Sequence, residues 1–96
     1  MKILILDDAQ DDLIEGYRFY ERQSAGLGVY FLDSLNADID SLNFYAGIHP
    51  KYRGYHRQLS KRFPYAIYYR MQKNIVHIHA VLDCRRDPEW INKRLK

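Results

Sequence analysis

The second half of the chain carries the residue types that cleavage of RNA by its own 2′-hydroxyl group requires. That reaction needs one group to remove a proton, another to donate one, and cations that face the charged phosphorane. Because side chains alternate along a strand, His77, His79 and Asp83 are expected on one face. The acid–base candidates are His56, His77, His79 and Asp83. The available cations are Arg53, Arg57, Lys61, Arg70, Arg85 and Arg86.

Structural interpretations compete with catalysis for the same residues. The histidines can be half-exposed sheet residues that face a partner or solvent. Asp87 can cap the last helix and pair with an arginine instead of joining Arg85 and Arg86 in a phosphate-binding cluster. His77 and His79 offer two metal ligands, with Asp83 as a third, but nothing else in the sequence supports a metal site. Cys84 fits no reaction that the other residues suggest. We therefore expect neither a metal nor a cofactor.

Charge is distributed unevenly along the chain. Residues 1–48 carry three basic and nine acidic side chains, whereas residues 49–96 carry twelve basic and three acidic ones. This asymmetry predicts that the second half meets nucleic acid or an acidic protein. The alternative is that the two halves pack together and neutralise each other.

Length and cysteine content bound the class of protein. The 96 residues fit one domain spanning 1–96. The single cysteine excludes an intrachain disulfide, which favours a reducing, cytoplasmic location for so small a chain. The apolar run Ile3–Leu6 is too short for a signal peptide or a membrane span, so we expect no membrane association.

The first half of the chain predicts a strand followed by two helices. Asp7 is the expected N-cap of the first helix, with Gln10 at capping-box spacing. Ser24–Gly26 breaks the helical pattern, and the short link predicts an antiparallel helix hairpin. The expected elements are a strand over 2–6, a helix over about 8–22, and a second helix from Leu27 that ends at Gly47 and Pro50.

The second half predicts three strands and a short helix. Consecutive strands with tight links are expected to pair antiparallel. The order β-α-α-β-β-β-α then gives an α+β fold, with the helix hairpin on one face of a sheet of three or four strands. The expected strands are 52–60, 63–71 and 75–82, with a turn at 72–74 and a helix starting at Asp87-Pro88. One apolar face of the last strand is expected to hold Val76, Ile78, Ala80 and Leu82.

Two segments resemble the C-terminal signature of RelE/ParE-type toxins. Residues 63–70 read Phe-Pro-Tyr-Ala-Ile-Tyr-Tyr-Arg and resemble that family's FPY-x-I-x-Y strand. Residues 81–88 read Val-Leu-Asp-Cys-Arg-Arg-Asp-Pro and resemble its aVLHgrRDP strand end, which Trp90 and Arg94 continue. With the opening strand and helix hairpin, the resemblance covers nearly the whole chain and implies a RelE/ParE-like fold.

The resemblance implies the toxin of a type II toxin–antitoxin system, with growth inhibition and plasmid stabilisation as its consequences. An acidic antitoxin would wrap the toxin and hold it inactive in a hetero-oligomer. RelE-like members of the family cut messenger RNA in the ribosomal A site, whereas ParE-like members bind DNA gyrase without known catalysis. A plain nucleic-acid-binding regulator is a third class, but the helix hairpin lacks helix-turn-helix features.

Two departures from the family pattern favour the ParE-like alternative over the ribosome-dependent endoribonuclease. Ala66 stands where RelE-like nucleases usually carry an arginine, and Asp83 stands where the family frequently has histidine. The candidate target-binding residues are Arg53, Tyr55, Arg57, Arg85 and Arg86. If the chain is a nuclease, the candidate catalytic residues are Arg57, Lys61, His79, Asp83, Arg85 and Arg86.

Overall fold

A computed structural model describes all 96 residues and confirms the α+β fold. The sheet has five strands in the order β1-β5-β4-β3-β2, in which β1 runs parallel to β5 and the other neighbours are antiparallel. No helix combines the length and the apolar character that crossing a membrane requires. In chain order the elements are β1 (Lys2–Ile5), α1 (Asp7–Gln23), α2 (Leu27–Asp40), α3 (Leu42–Tyr45), β2 (Lys51–Tyr52), β3 (Tyr55–Leu59), β4 (Tyr65–Gln72), β5 (Ile75–Asp83) and α4 (Pro88–Arg94).

The helix hairpin forms as predicted, but the start of α1 differs from the expected capping box. Leu6 occupies the N-cap position, and no side chain caps the helix. Asp7 is already helical, so its predicted role as N-cap is wrong. Gln10 reaches back with Nε2 to donate to the carbonyl of Ile5 at 2.9 Å, which fastens the end of β1 to the helix. Gly26 makes the turn between the helices with a φ of 89°.

The second predicted helix is interrupted at Ser41. The Ser41 hydroxyl donates to the carbonyl of Asp38 at 2.6 Å, and the Gln58 amide donates to the same carbonyl at 2.9 Å. Side-chain hydrogen bonds of this kind compete with the helical ladder. As a result α2 ends at Asp40, and the predicted helix continues only as the four-residue α3, Leu42–Tyr45.

The region predicted as one strand over 52–60 is a hairpin. Arg53 and Gly54 have φ values of 52° and 85°, so the chain reverses between β2 and β3. Two consecutive positive φ angles are typical of tight hairpin turns. The extra strand is why the sheet has five strands instead of the three or four expected.

A β-bulge in β5 changes which side chains share a face. Tyr69 pairs with Ile78 and Tyr68 pairs with Ala80, which leaves His79 without a direct partner on β4. An additional residue in one strand breaks the alternation of side chains beyond it. The predicted single apolar face is therefore wrong, because Ile78 and Ala80 belong to different cores.

Two hydrophobic cores lie on opposite faces of the sheet. On the helix face, α1 and α2 pack over Tyr65, Ile67, Tyr69, Val76, Ile78 and Val81. On the outer face, α4 contributes Ile91 and Leu95 to a smaller core with Tyr55, Ala66, Tyr68, Ala80 and Leu82. Asp87 caps α4 as predicted, accepting from the backbone of Glu89 at 3.1 Å, but it forms no ion pair with an arginine.

Candidate functional site

Arg57 lies on the outer face with neutral hydrogen-bond partners. Its Nε donates to the hydroxyl of Tyr68 at 3.2 Å, and its Nη2 lies 3.6 Å from the sulfur of Cys84. The hydrogen bond to Tyr68 raises the pKa of the guanidinium. No carboxylate pairs with Arg57, so its positive charge is held in place without being neutralised.

Arg70, Tyr55 and His79 form a stacked group on the same face. The guanidinium of Arg70 lies 3.9 Å from the centre of the Tyr55 ring, and the His79 ring meets Tyr55 edge-on at 5.2 Å. Burial lowers the pKa of His79, and the charges of Arg70 and His77 lower it further. His79 is therefore neutral at pH 7, and the positive charge of the group belongs to Arg70.

His77 and Tyr52 are two further polar side chains of the outer face, and Tyr52 contacts α4. His77 lies beside His79 with their ring centres 6.5 Å apart. The hydroxyl of Tyr52 donates to Oδ1 of Asn92 at 2.7 Å. None of the side chains that β3, β4 and β5 present on this face is acidic, and nowhere in the molecule are three metal-ligating side chains grouped.

Asp83 does not share a face with the two histidines, so that prediction is wrong. The bulge at His79 turns the end of β5 over and places Asp83 beside Tyr20 and Tyr65 on the helix face. Its carboxylate accepts from Arg85 at 2.8 Å to Nη2 and 3.0 Å to Nε. Burial alone would raise the pKa of Asp83, but the hydrogen bonds and charge of Arg85 outweigh burial and lower it.

The other predicted cations are dispersed. Arg85 is engaged by Asp83, and Arg86 stacks over the Trp90 ring at 4.1 Å on the side of α4. Arg53 lies at the tip of the β2–β3 hairpin, and Lys61 lies in the exposed loop between β3 and β4. Of the predicted site, the structure places Tyr55, Arg57 and His79 on the outer face and pairs Asp83 with Arg85 on the helix face.

The chain is similar to known proteins in structure and not in sequence. No protein-family model matches the chain, and no curated protein sequence matches it at a significant level. Among solved structures, it superposes on a chain of the chromosomal ParDE TA system from P. aeruginosa with a TM-score of 0.73. The alignment covers 84% of this chain and 92% of the other at 16% identity. The chain has the RelE/ParE-like fold.

Within this RelE/ParE-like fold, a cleft between α1, the end of β5 and α4 brings together residues that sequence reasoning missed. We call it the α1–α4 cleft; its volume is about 480 Å³. Arg18 and Arg22 line it, and their spacing of four residues on a predicted helix was a usable signal for a shared face. The third arginine of the cleft is Arg86, and Phe19 and Trp90 supply aromatic surface.

A buried ion pair behind the cleft holds α4 to the rest of the fold. Arg94 makes two hydrogen bonds of 2.8 Å to the carboxylate of Asp12, and the backbone of Val81 donates to the same carboxylate at 3.0 Å. The hydrogen bond to Asp12 raises the pKa of Arg94. Asp12 thereby connects α1, β5 and α4, a connection between residues 82 positions apart that no local pattern indicates.

Proposed function

We propose that this chain is the toxin of a type II toxin–antitoxin pair, and that it acts by binding DNA gyrase as ParE-like toxins do. The structural likeness to a chain of a ParDE system supports the toxin assignment. The choice of a binding mechanism over RNA cleavage has a separate basis in the arrangement of the candidate catalytic residues.

The observation that favours binding is the separation of the acid–base candidates by the bulge in β5. His77 and His79 are on the outer face, whereas Asp83 is on the helix face and is held by Arg85. General acid–base catalysis requires both groups within hydrogen-bond reach of one substrate. In the arrangement described here, Asp83 and the histidines cannot serve the same phosphate.

The outer face has the properties of a surface that binds an acidic or phosphate-bearing target. Arg57 and Arg70 are held by tyrosines, and no carboxylate on the surrounding strands cancels their charge. Pre-positioned guanidinium groups lose little side-chain entropy when they bind an anion. A gyrase–DNA complex offers such a target, and the association would weaken as salt is added.

The antitoxin of this proposal is an acidic protein. The twelve basic side chains of residues 49–96 favour such a partner on electrostatic grounds. Its binding would compete with the target for the basic surfaces of the toxin.

A ribosome-dependent endoribonuclease is the second candidate, and one observation favours it. Arg57, Arg70, His77 and His79 do share the outer face, which supplies cations and a neutral imidazole together. An observation against the nuclease is that Ala66 is fully buried in the core beneath α4. The position of the usual nuclease arginine is thus closed to substrate in this chain.

The test is induction of the chain in a bacterial host, with messenger RNA ends mapped by sequencing within minutes and DNA topology assayed in parallel. We expect growth arrest with intact messages and with relaxed or broken DNA. Codon-phased cuts in translated messages would establish the nuclease instead, and normal growth of cells that contain the folded chain would refute both. The variant Arg57→Gln/Arg70→Gln should lose the arrest, whereas Lys73→Asn, at the tip of the β4–β5 hairpin, should keep it.

A further inference from the structure

The two most exposed large apolar side chains of the molecule lie within five residues of each other. Phe44 is 86% exposed and Ile48 is 71% exposed, and Tyr45 between them is 56% exposed. The rings of Phe44 and Tyr45 meet edge-on, with their centres 6.5 Å apart. We call these three side chains the α3 patch. Apolar surface that is exposed in one place, rather than scattered singly, is typical of an interaction site.

The fold does not use the α3 patch to hold α3 in place. Leu42, in the first turn of α3, is fully buried in the helix-face core, and Ala46 packs against the same core one helical turn later. These two residues bury the inner side of the segment. Phe44, Tyr45 and Ile48 are therefore available to a partner without any rearrangement of the core.

Hydrogen bonds fix the loop that carries the end of the patch. The backbone N–H of Gly47 donates to the hydroxyl of the buried Tyr69 at 2.9 Å, and Nδ1 of His49 bonds to the same hydroxyl. His56 in turn donates through Nδ1 to the carbonyl of His49 at 2.8 Å. A surface that is already ordered loses little conformational entropy when it associates. The patch is thus presented in a fixed arrangement.

One charge of each sign borders the α3 patch. Asp40 ends α2 just before the patch and Lys51 begins β2 just after it; both are exposed, and neither forms an ion pair. Residues 41–50 contain no Asp, Glu, Lys or Arg. In a two-fold dimer, the contact of one residue with a second is repeated with the copies exchanged. A surface bordered by one acid and one base can therefore complement a copy of itself.

We propose that the α3 patch is a self-association surface, on which a second copy of this chain binds about a two-fold axis. The apolar side chains of the two patches pack on each other, and Asp40 of each copy pairs with Lys51 of the other. The border favours a second copy over a polyanion, because nucleic acids and anionic membranes attract clusters of basic residues, and this border has one lysine opposed by one aspartate.

The size of the patch predicts a weak dimer. Large aromatic side chains bury about 150–250 Å² each, so the three exposed side chains supply roughly 400 Å² per copy. A standard interface buries about 800 Å² per partner, and the polar border, with Asp40, Asn43 and Lys51, must supply the rest. We expect a dissociation constant of about 10 µM.

Sedimentation equilibrium of the purified full chain, from about 1 µM to about 500 µM, brackets that constant. The apparent mass should rise from that of one chain to twice that value. Phe44→Ser/Ile48→Ser should weaken the dimer at least tenfold. Ile14→Ser/Val29→Ser removes two exposed apolar side chains from α1 and α2, and should change it less than twofold. Melting temperatures measured at the lowest concentration confirm that both variants fold.

An exchange of charges tests the reciprocal pairing. Asp40→Lys alone and Lys51→Asp alone each bring like charges together twice in the dimer, so each variant should dimerise at least fivefold more weakly than the parent chain. An equimolar mixture of the two variants restores both pairs in the mixed dimer. With one variant fluorescently labelled, the mixed dimer should form within twofold of the affinity of the parent chain.

Three results would overturn the inference. They are a parent chain that stays monomeric up to about 500 µM, equal weakening by the patch and control variants, and a mixture that associates no more tightly than either charge variant alone. Co-sedimentation of a monomeric chain with vesicles of phosphatidylcholine and phosphatidylglycerol, lost in Phe44→Ser/Ile48→Ser, would overturn it in favour of a lipid surface. Because these assays use the purified chain alone, their outcome is independent of the proposed function.

Discussion

The outer face of the sheet and the α1–α4 cleft both display arginines without a carboxylate partner, but they differ in what surrounds those arginines. On the outer face, Arg57 and Arg70 rest on tyrosines, and no strand residue nearby is acidic. In the cleft, Arg18 and Arg22 share the wall with three carboxylates. A surface with only positive charges suits a polyanion or a strongly acidic patch. A surface with charges of both signs selects a partner whose own charges are arranged to complement it.

The two regions therefore suit ligands of different kinds. Under the proposed function, the outer face would bind the target of the toxin. The two surfaces are joined by α4, which packs its apolar side on the outer face and carries Trp90 at the cleft.

The largest expected effect comes from Asp12→Ala, which removes the support of the cleft. The substitution leaves Arg94 without its partner and the backbone N–H of Val81 without its acceptor. Breaking a buried ion pair from one side costs about 3–5 kcal/mol, so the free energy of unfolding in urea should fall by about 3 kcal/mol or more. Asp8→Ala, on the exposed side of the same helix, should change it by less than about 0.5 kcal/mol. If Asp12→Ala lowers the free energy of unfolding by as little as Asp8→Ala does, α4 is held by packing alone.

Ala66→Arg tests whether the outer face can accept the arginine of RelE-like nucleases. Ala66 is fully buried among Leu82, Ile91 and Leu95, so the added side chain must displace α4 or bury its charge. Overpacking of a core costs about 1–3 kcal/mol, and the melting temperature should drop accordingly. Ala66→Val serves as the apolar control. A variant with unchanged stability and new cleavage of messenger RNA would show that the face is a nuclease site lacking one residue.

Asp83→Asn separates the two mechanisms with little effect on stability. Arg85 is more than half exposed, so loss of the pair should cost less than about 1 kcal/mol in urea unfolding. Because Asp83 lies on the helix face, away from the proposed target surface, growth arrest should persist at the same induction level. Loss of growth arrest in a variant that folds normally would show that Asp83 takes part in the toxic action.

The smallest expected effect is a dependence of stability on pH at His79. Burial and the charges of Arg70 and His77 lower the pKa of this imidazole in the folded chain. The unfolded chain takes up the proton near pH 6.5, so stability is full above that pH and falls as the pH drops through the lower pKa of the folded state. The melting temperature should therefore decline less between pH 7 and pH 5 in His79→Gln than in the parent chain. Equal declines would mean that His79 titrates normally and is not held by the stacked group.

The sequence sufficed for most of the fold because its signals are local. Alternating and helical apolar patterns gave the strand over residues 2–6, the helix hairpin and the last two strands. The short strand β2 was not predicted, because the turn after it requires a positive φ at Arg53 that no composition rule predicts. The interruption at Ser41 depends on Gln58, seventeen residues away, and so has no local signature either.

The candidate site was harder to predict because a single bulge decides it. Strict alternation put His77, His79 and Asp83 together, and the additional residue at His79 separated them. The predicted cations Arg85 and Arg57 are present but have partners that only the tertiary structure supplies, namely Asp83 and Tyr68. The cleft required α1 and α4 to meet, which is a contact between the two ends of the chain.

The most direct test of the proposed mechanism is the supercoiling of relaxed plasmid DNA by purified gyrase in the presence of the purified chain. The proposal predicts that the chain inhibits supercoiling or accumulates cleaved DNA, that Arg57→Gln/Arg70→Gln loses this effect, and that Lys73→Asn retains it. Unaffected gyrase, together with codon-phased cleavage of messages on purified ribosomes by the same preparation, would contradict it.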